Sequence, residues 1–277
     1  YTAGDTTPSV AEGSTAVDTA VAITDTDTLD ANTCTLAGSD AALFTCTLTG
    51  QTAYSLAFTN APDFETDAST DGDGDYDVTV TINDGAQDGA TITYVVTVTD
   101  TNDESPVFTS SDTINVAEGA TAVVTLTSTD GDAADSGGPT YAIDTNDNNL
   151  FSINGAVVTL TNAADFETPG CGSSSNTCTI VVSATDLNSQ VTQQTITVTI
   201  TDVNDQTPTY TAGDTTPSVA EGTTAVDTAV AITDTDTGDA NVCTLAGSDA
   251  ALFTCTLTGQ TAYSLAFTNA PDFETDA

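Results

Sequence analysis

The stretch Ile92-Thr-Tyr-Val-Val-Thr-Val-Thr-Asp-Thr-Asn-Asp-Glu-Ser-Pro106 joins an alternating run of apolar residues to a cluster of acids. Every second residue from Ile92 to Val98 is apolar, which is typical of a half-buried β-strand. The alternation recurs at Tyr76–Ile82 and Ile196–Ile200, and helical spacing is nowhere sustained. Short strands separated by Gly, Asn and Asp turns predict an all-β chain of antiparallel β-sandwiches.

A long repeat organises the chain. Residues 210–277 repeat residues 1–68 with three differences, which are Ser14 against Thr223, Leu29 against Gly238 and Thr33 against Val242. A match this close indicates tandem duplication of a unit 209 residues long.

A shorter period lies inside that unit. The acidic segment at 99–106 returns at 201–208, and Val-Ala-Glu-Gly at 10–13 returns at 116–119 and 219–222. We therefore predict modules at 1–105 and 106–207 and an incomplete module at 208–277. The third stops before the strands equivalent to residues 76–99, so we expect the natural chain to continue past it, with strands supplied by another chain as the alternative.

The charge is entirely negative, with 41 Asp plus Glu and no Lys, Arg or His. This excludes nucleic-acid patches, phosphate clamps, histidine bases and histidine-ligated metals. Side-chain ion pairs are impossible, so the carboxylates must meet water or bound cations. The hydrophobic fraction of 38% leaves disorder as an alternative, but the alternating runs favour a folded core. No run of about 18 apolar residues occurs, so we predict no membrane span.

Six cysteines form three close pairs, Cys34 with Cys46, Cys171 with Cys178, and Cys243 with Cys255. Close pairs without histidine indicate disulfides and an oxidising compartment, with a zinc site built from two pairs as the alternative.

Five acidic signatures recur in the same order in successive modules. They are a Glu near the first strand, an Asp-x-Asp pair, an Asp-Phe-Glu triplet, a late Asp, and a closing Asp-x-Asn-Asp motif. This set closely resembles the cadherin repeat. The resemblance implies Ig-like, Greek-key β-sandwich modules joined end to end, with about three calcium ions at each junction.

The resemblance also implies the ligands. The first junction would use Glu12, Asp63, Glu65, Asp100, Asn102, Asp103, Asp130, Asp132 and Asp186, with backbone carbonyls of Thr101 and Glu104. The second would use Glu118, Asp165, Glu167, Asp202, Asn204, Asp205, Asp234 and Asp236, with backbone carbonyls of Val203 and Gln206. An earlier junction would take Asp25, Asp27 and Asp84, and a later one Glu221, Asp272 and Glu274. Glu104 and Gln206 depart from the family by replacing a common Asn.

We expect a calcium-rigidified structural segment of an extracellular filament or of a giant microbial surface or biofilm-matrix protein. The alternative is a calcium-dependent adhesin at the cell surface, acting by homophilic contacts or as a stalk. Its partners would be further copies of the repeat, end to end, with lateral contacts left open. We predict no enzyme, because the acids follow the junction motifs and not a cleft that could hold a glycosidase pair.

Overall fold

The structure, a computed structural model, describes residues 4–24, 31–85, 88–132, 137–211, 213–236, 238 and 240–274. Strands dominate it, and the helical elements of the described part are three 3₁₀ turns, Ala41–Leu43, Asp147–Asn149 and Ala250–Leu252. No helix among these residues is long and apolar enough to cross a membrane.

The strands follow the predicted alternation. Those described in residues 1–105 are β1 (Ser9–Ala11), β2 (Ala16–Ala22), β3 (Thr33–Ala37), β4 (Phe44–Thr49), β5 (Ala53–Phe58), β6 (Asp75–Asn83) and β7 (Asp88–Thr99). Those described in residues 106–207 are β8 (Val107–Phe108), β9 (Thr113–Ala117), β10 (Ala122–Thr125), β11 (Ser128–Thr129), β12 (Thr140–Asn146), β13 (Phe151–Asn154), β14 (Val157–Leu160), β15 (Thr177–Thr185) and β16 (Val191–Thr201). After them come β17 (Thr209–Tyr210), β18 (Ala225–Thr233), β19 (Phe253–Thr258) and β20 (Ala262–Phe267).

Two sheets enclose the core of the first predicted module. One has the order β1-β7-β6-β3, in which β1 runs parallel to β7, and the other has the order β2-β5-β4. The alternating strands turn their apolar residues inward, so that Val78, Val80, Tyr94 and Val96 of one sheet meet Leu56 of the other in one buried cluster. The predicted tandem β-sandwich is confirmed.

The second predicted module has the same arrangement. Its larger sheet has the order β12-β15-β16-β9, with β9 parallel to β16, and its smaller sheet has the order β10-β14-β13. The strands β17-β18-β20-β19 form a further antiparallel sheet.

Contacts group the chain into two compact units that do not follow the predicted module boundaries. The first unit holds residues 1–109, 127–142 and 183–193, and the second holds 110–126, 143–182 and 194–277. All predicted ligands of the first junction lie within the first unit, and all those of the second junction lie within the second. The module boundaries themselves remain a prediction.

All three predicted disulfides are present, Cys34–Cys46, Cys171–Cys178 and Cys243–Cys255. The first joins β3 of one sheet to β4 of the other, which links the two layers of the sandwich.

Nearly identical sequences differ in structure where their partner strands differ. Residues 33–37 form β3 because they pair with β6, in a register that sets Cys34 opposite Ile82. The matching residues 242–246 differ only at the first position and are not in a strand. Within these 277 residues, no counterpart of β6 is present for residues 242–246 to pair with.

Candidate metal centres

Glu12, which follows β1, is a buried carboxylate that connects the loop at Phe64 to the linker, residues 100–106, between β7 and β8. It exposes only 7% of its surface. Its Oε2 accepts the N–H of Phe64 at 2.7 Å, and its Oε1 accepts the N–H of Thr101 at 2.6 Å. Burial acts to raise the pKa of Glu12, but these donors outweigh it and lower the pKa below its ordinary value. The carboxylate is therefore charged at neutral pH and fixed in place.

The same anchor recurs at Glu118, which is equally buried. This carboxylate accepts the N–H of Phe166 at 2.8 Å and the N–H of Val203 at 2.6 Å. At the third position, Glu221 is exposed and accepts the N–H of Phe273 at 3.3 Å. In each Asp-Phe-Glu triplet, the backbone N–H of the Phe is thus bonded to the Glu of the Val-Ala-Glu-Gly motif.

Three overlapping groups of carboxylates lie at the first junction. Within each group, one oxygen from each residue lies within 4.8 Å of the others, and the groups are Glu12 with Glu65 and Asp100, Glu65 with Asp103 and Asp132, and Asp130 with Asp132 and Asp186. Two oxygens that bind one calcium ion at about 2.4 Å are at most about 4.8 Å apart. Because Glu65 and Asp132 each belong to two groups, the groups form a continuous series.

Like charges repel one another in this series. Burial, followed by the charges of Glu12 and Asp100, raises the pKa of Glu65 to about 6. Burial, followed by the charges of Glu12 and Asp132 among others, also raises the pKa of Asp103. An added cation would relieve this repulsion.

The second junction carries the same kind of cluster. Two groups of carboxylates lie close together there, Glu118 with Asp165 and Glu167, and Glu167 with Asp205 and Asp236. Burial first, and then neighbouring carboxylates, raise the pKa of both Glu167 and Asp236. Glu167 joins the two groups here, as Glu65 joins two at the first junction.

Several buried oxygens in these clusters accept no hydrogen bond from the protein. They are Asp186 Oδ2 at the first junction, and Glu167 Oε1, Glu167 Oε2, Asp234 Oδ2 and Asp236 Oδ1 at the second. Buried polar atoms almost always have a partner. Hard carboxylate oxygens that converge without protein donors are the ligand set that calcium prefers, so these residues fit that ion.

Backbone donors hold the other oxygens of some of these carboxylates. The N–H of Glu104 donates to Asp132 Oδ2 at 3.0 Å, and the N–H of Gln206 donates to Asp236 Oδ2 at 2.8 Å. The N–H of Gln190 donates to Asp186 Oδ1 at 2.6 Å. One oxygen of each is therefore oriented by the chain, which fixes the direction of the other.

The remaining predicted ligands are only partly described. Asp63 accepts the N–H of Thr66 at 3.1 Å, and Asp272 accepts the N–H of Glu274 at 3.1 Å. Asp84 follows β6, and Asp25 and Asp27 lie outside the described residues. The calcium roles of individual residues, including the carbonyls of Thr101, Glu104, Val203 and Gln206 and the side chains of Asn102, Asn204 and Asp202, remain predictions.

Sequence reasoning missed two residues at the first junction, Asn188 and Gln190. Asn188 donates its side-chain N–H to the backbone oxygen of Asn102 at 2.6 Å. The only signal was their position in the polar turn directly after Asp186, a predicted ligand.

Residues 112–201 match the family model for the cadherin domain. This segment, about a third of the chain, is therefore similar to the cadherin domain. The cadherin-type carboxylate motifs of the chain are the ones that the two clusters bring together. No curated protein sequence matches the chain.

Solved cadherin ectodomains share its fold. Protocadherin Gamma B7 extracellular domains 1–4 match with a TM-score of 0.61 and 21% identity over 97% of this chain and 67% of that one. The human Desmocollin-1 ectodomain matches with a TM-score of 0.63 and 19% identity over 97% of this chain and 53% of that one. A Protocadherin gammaB7 EC3-6 cis-dimer structure matches with a TM-score of 0.63 and 25% identity, over 89% and 62%. This chain therefore spans about half to two thirds of each.

Proposed function

We propose that the chain is a calcium-rigidified structural segment of an extracellular filament or of a giant surface or biofilm-matrix protein. The observation that supports this most directly is the series of three carboxylate groups at the first junction, joined by Glu65 and Asp132. A rigid joint needs ligands from both sides of the linker held by shared ions. This series takes Glu12 from before the linker, Asp103 from within it and Asp186 from beyond it.

The charge balance supports cations at the joint. The first junction gathers eight predicted carboxylate ligands, and the chain has no Lys, Arg or His to neutralise them. About three calcium ions, as the family resemblance implies, would supply six positive charges. Without them, repulsion should loosen the linker, and with them neighbouring modules should hold one orientation.

The near-identity of residues 1–68 and 210–277 supports a scaffold in particular. A repeated unit of constant sequence gives length and uniform stiffness, whereas a recognition surface needs to be present only once. Calcium would act here as a structural ligand, with carboxylates and backbone carbonyls as its shell.

A calcium-dependent adhesin is the second candidate. It is favoured by the likeness to protocadherin and desmocollin ectodomains, one of which was solved as a cis-dimer. Under this reading the same junctions stiffen a stalk, and faces of the modules make contacts between copies.

The test compares the full chain in millimolar calcium and after chelation with EDTA. We expect calcium to raise the melting temperature and to increase the maximum dimension measured by small-angle X-ray scattering. The double variant Asp103→Asn with Asp205→Asn should lose most of both responses. The control variant, Asp5→Asn with Asp214→Asn, also removes two negative charges, but from exposed turns, and it should keep both calcium responses.

Absence of any calcium response in the native chain would overturn the proposal. Coating beads with the chain separates the two candidates, since an adhesin aggregates the beads in calcium and a spacer does not.

A further inference from the structure

The turn between β15 and β16 is closed around Asp186. The N–H of Gln190 donates to Asp186 Oδ1 at 2.6 Å, and the N–H of Asp186 donates to the backbone oxygen of Gln190 at 3.1 Å. Ser189 takes a φ of 72°, which lets the chain reverse within this short turn. The turn thus fixes the carboxylate and leaves Asp186 Oδ2 buried without a hydrogen bond.

The same turn holds the linker. Asn188 Nδ2–H donates to the backbone oxygen of Asn102 at 2.6 Å, and Gln190 Nε2–H reaches that oxygen at 3.3 Å and Asn102 Oδ1 at 3.4 Å. Ser105 Oγ–H donates to Gln190 Oε1 at 3.2 Å. Both ends of the Gln190 amide are therefore bonded to the linker.

The composition of the chain explains why side-chain amides donate these hydrogen bonds to the linker. The chain has no Lys, Arg, His or Trp, so Asn and Gln carry its only side-chain N–H donors. A neutral amide can bind a linker carbonyl without adding charge beside the carboxylates. It also needs no cation to do so.

We infer that Asn188 and Gln190 are positioning residues, which hold the linker at Asn102 against the Asp186 turn before a divalent cation binds. The inference rests on the proposed calcium function. Linker and turn carry ligands of adjoining groups, Asp103 in one and Asp186 in the next. Fixing them in advance reduces the entropy lost on cation binding and so raises affinity at the first junction.

The test follows a calcium titration of the ¹⁵N-labelled full chain at two reporters. The amide of Gly131 lies between Asp130 and Asp132 of the first junction, and the amide of Thr235 lies between Asp234 and Asp236 of the second. The double variant Asn188→Ala with Gln190→Ala should raise the Kd at Gly131 about tenfold or more, as loss of groups that orient metal ligands commonly does. The Kd at Thr235 should stay unchanged.

A matched control is Asn148→Ala, which removes the same kind of bond, from Asn148 Nδ2–H to the Gly170 oxygen at 2.9 Å. It should leave both dissociation constants unchanged. In calcium-free protein, the double variant should also lower the heteronuclear NOE at Asn102. Gln190→Met, which keeps the side-chain length, provides the same test if the double variant folds poorly.

The outcomes are separable. An unchanged Kd at Gly131 in the variants, or equal changes at both reporters, overturns the positioning role and leaves the calcium function standing. If native protein shows no calcium response at either reporter, the proposed function fails and the positioning role fails with it.

Discussion

Single carboxylates differ in how many ion sites they would serve. Glu65 belongs to two of the named groups at the first junction, whereas Asp100 and Asp186 each belong to one. A carboxylate that bridges two ions contributes an oxygen to both shells, so its loss should weaken both sites together.

Replacement of Glu65 by Ala should therefore remove more calcium from the first junction than Asp100→Ala. Calorimetric titration should show at least two weakened sites for Glu65→Ala. Glu274 is its counterpart 209 residues later in near-identical sequence, and Glu274→Ala should leave the first junction intact. Equal losses from Glu65→Ala and Asp100→Ala would contradict the shared role.

Asp40 is a buried carboxylate whose two oxygens are held by backbone donors. It exposes 2% of its surface and accepts the N–H of Thr70 at 2.7 Å and the N–H of Asp77 at 2.8 Å. Burial acts to raise its pKa, but these donors lower the pKa below the ordinary 3.8. Its stabilisation is therefore present above about pH 3.8 and is lost as the pH falls through the lower, folded-state value.

Asp40→Asn should lower the unfolding free energy of its sandwich by about 2 kcal/mol at neutral pH, because an amide group then faces a backbone donor. Hydrogen exchange of β6 amides measures this loss, which should shrink below about pH 3.8. Asp249, the exposed counterpart of Asp40, is the control, and Asp249→Asn should change stability by less than about 0.5 kcal/mol. A pH-independent loss would point to packing instead.

For single residues, the sequence predicts which side chains lie in the clusters better than it predicts their hydrogen-bond partners. The recurring acids identified the carboxylates that gather in the clusters, because the same motifs return at the same place in each module. It did not predict Asn188 and Gln190, since their role depends on which carbonyl the folded chain brings within 2.6 Å.

Individual strands form where both preference and partner allow them. β3 and residues 242–246 share four of five residues, yet the first is paired with β6 and the second is not in a strand. In this 277-residue segment, which contains no counterpart of β6 for residues 242–246, hydrogen exchange should therefore be slow at 33–37 and fast at 242–246. Because the two segments differ at Thr33 and Val242, their peptides have different masses and can be followed in one mass-spectrometric experiment. Equal protection of the two segments would refute the idea that β3 depends on its pairing with β6.

The sequence predicted individual strands better than it predicted which strands pair with one another. Alternation at Tyr76–Ile82 predicted β6 because an amphipathic strand leaves that trace. The parallel pairing of Val10 with Val98 leaves none, since β1 has only three residues. Alternation also did not reveal that Tyr76 and Cys178 occupy the same position, the second residue, of the equivalent strands β6 and β15. In the structure, the hydroxyl of Tyr76 accepts the N–H of Ala68.

The whole molecule carries a net charge of −41 with no opposite charge to offset it. Self-repulsion should therefore destabilise the calcium-free chain most at low ionic strength. Raising NaCl from about 0.01 M to 1 M shortens the Debye length from about 30 Å to 3 Å and should raise the melting temperature in EDTA. The increase should be smaller in calcium. A melting temperature insensitive to salt would show that the carboxylates lie too far apart to repel.

The 209-residue repeat has a consequence for inheritance. A crossover between residues 1–68 of one copy and 210–277 of another exchanges sequences that differ at three positions. The recombinant chain gains or loses a whole number of 209-residue units. Every downstream strand and junction carboxylate therefore keeps its position within its module. Natural variants of such a gene should thus differ in length by multiples of 209 codons, which makes the reach of the protein a heritable quantity that changes in discrete steps.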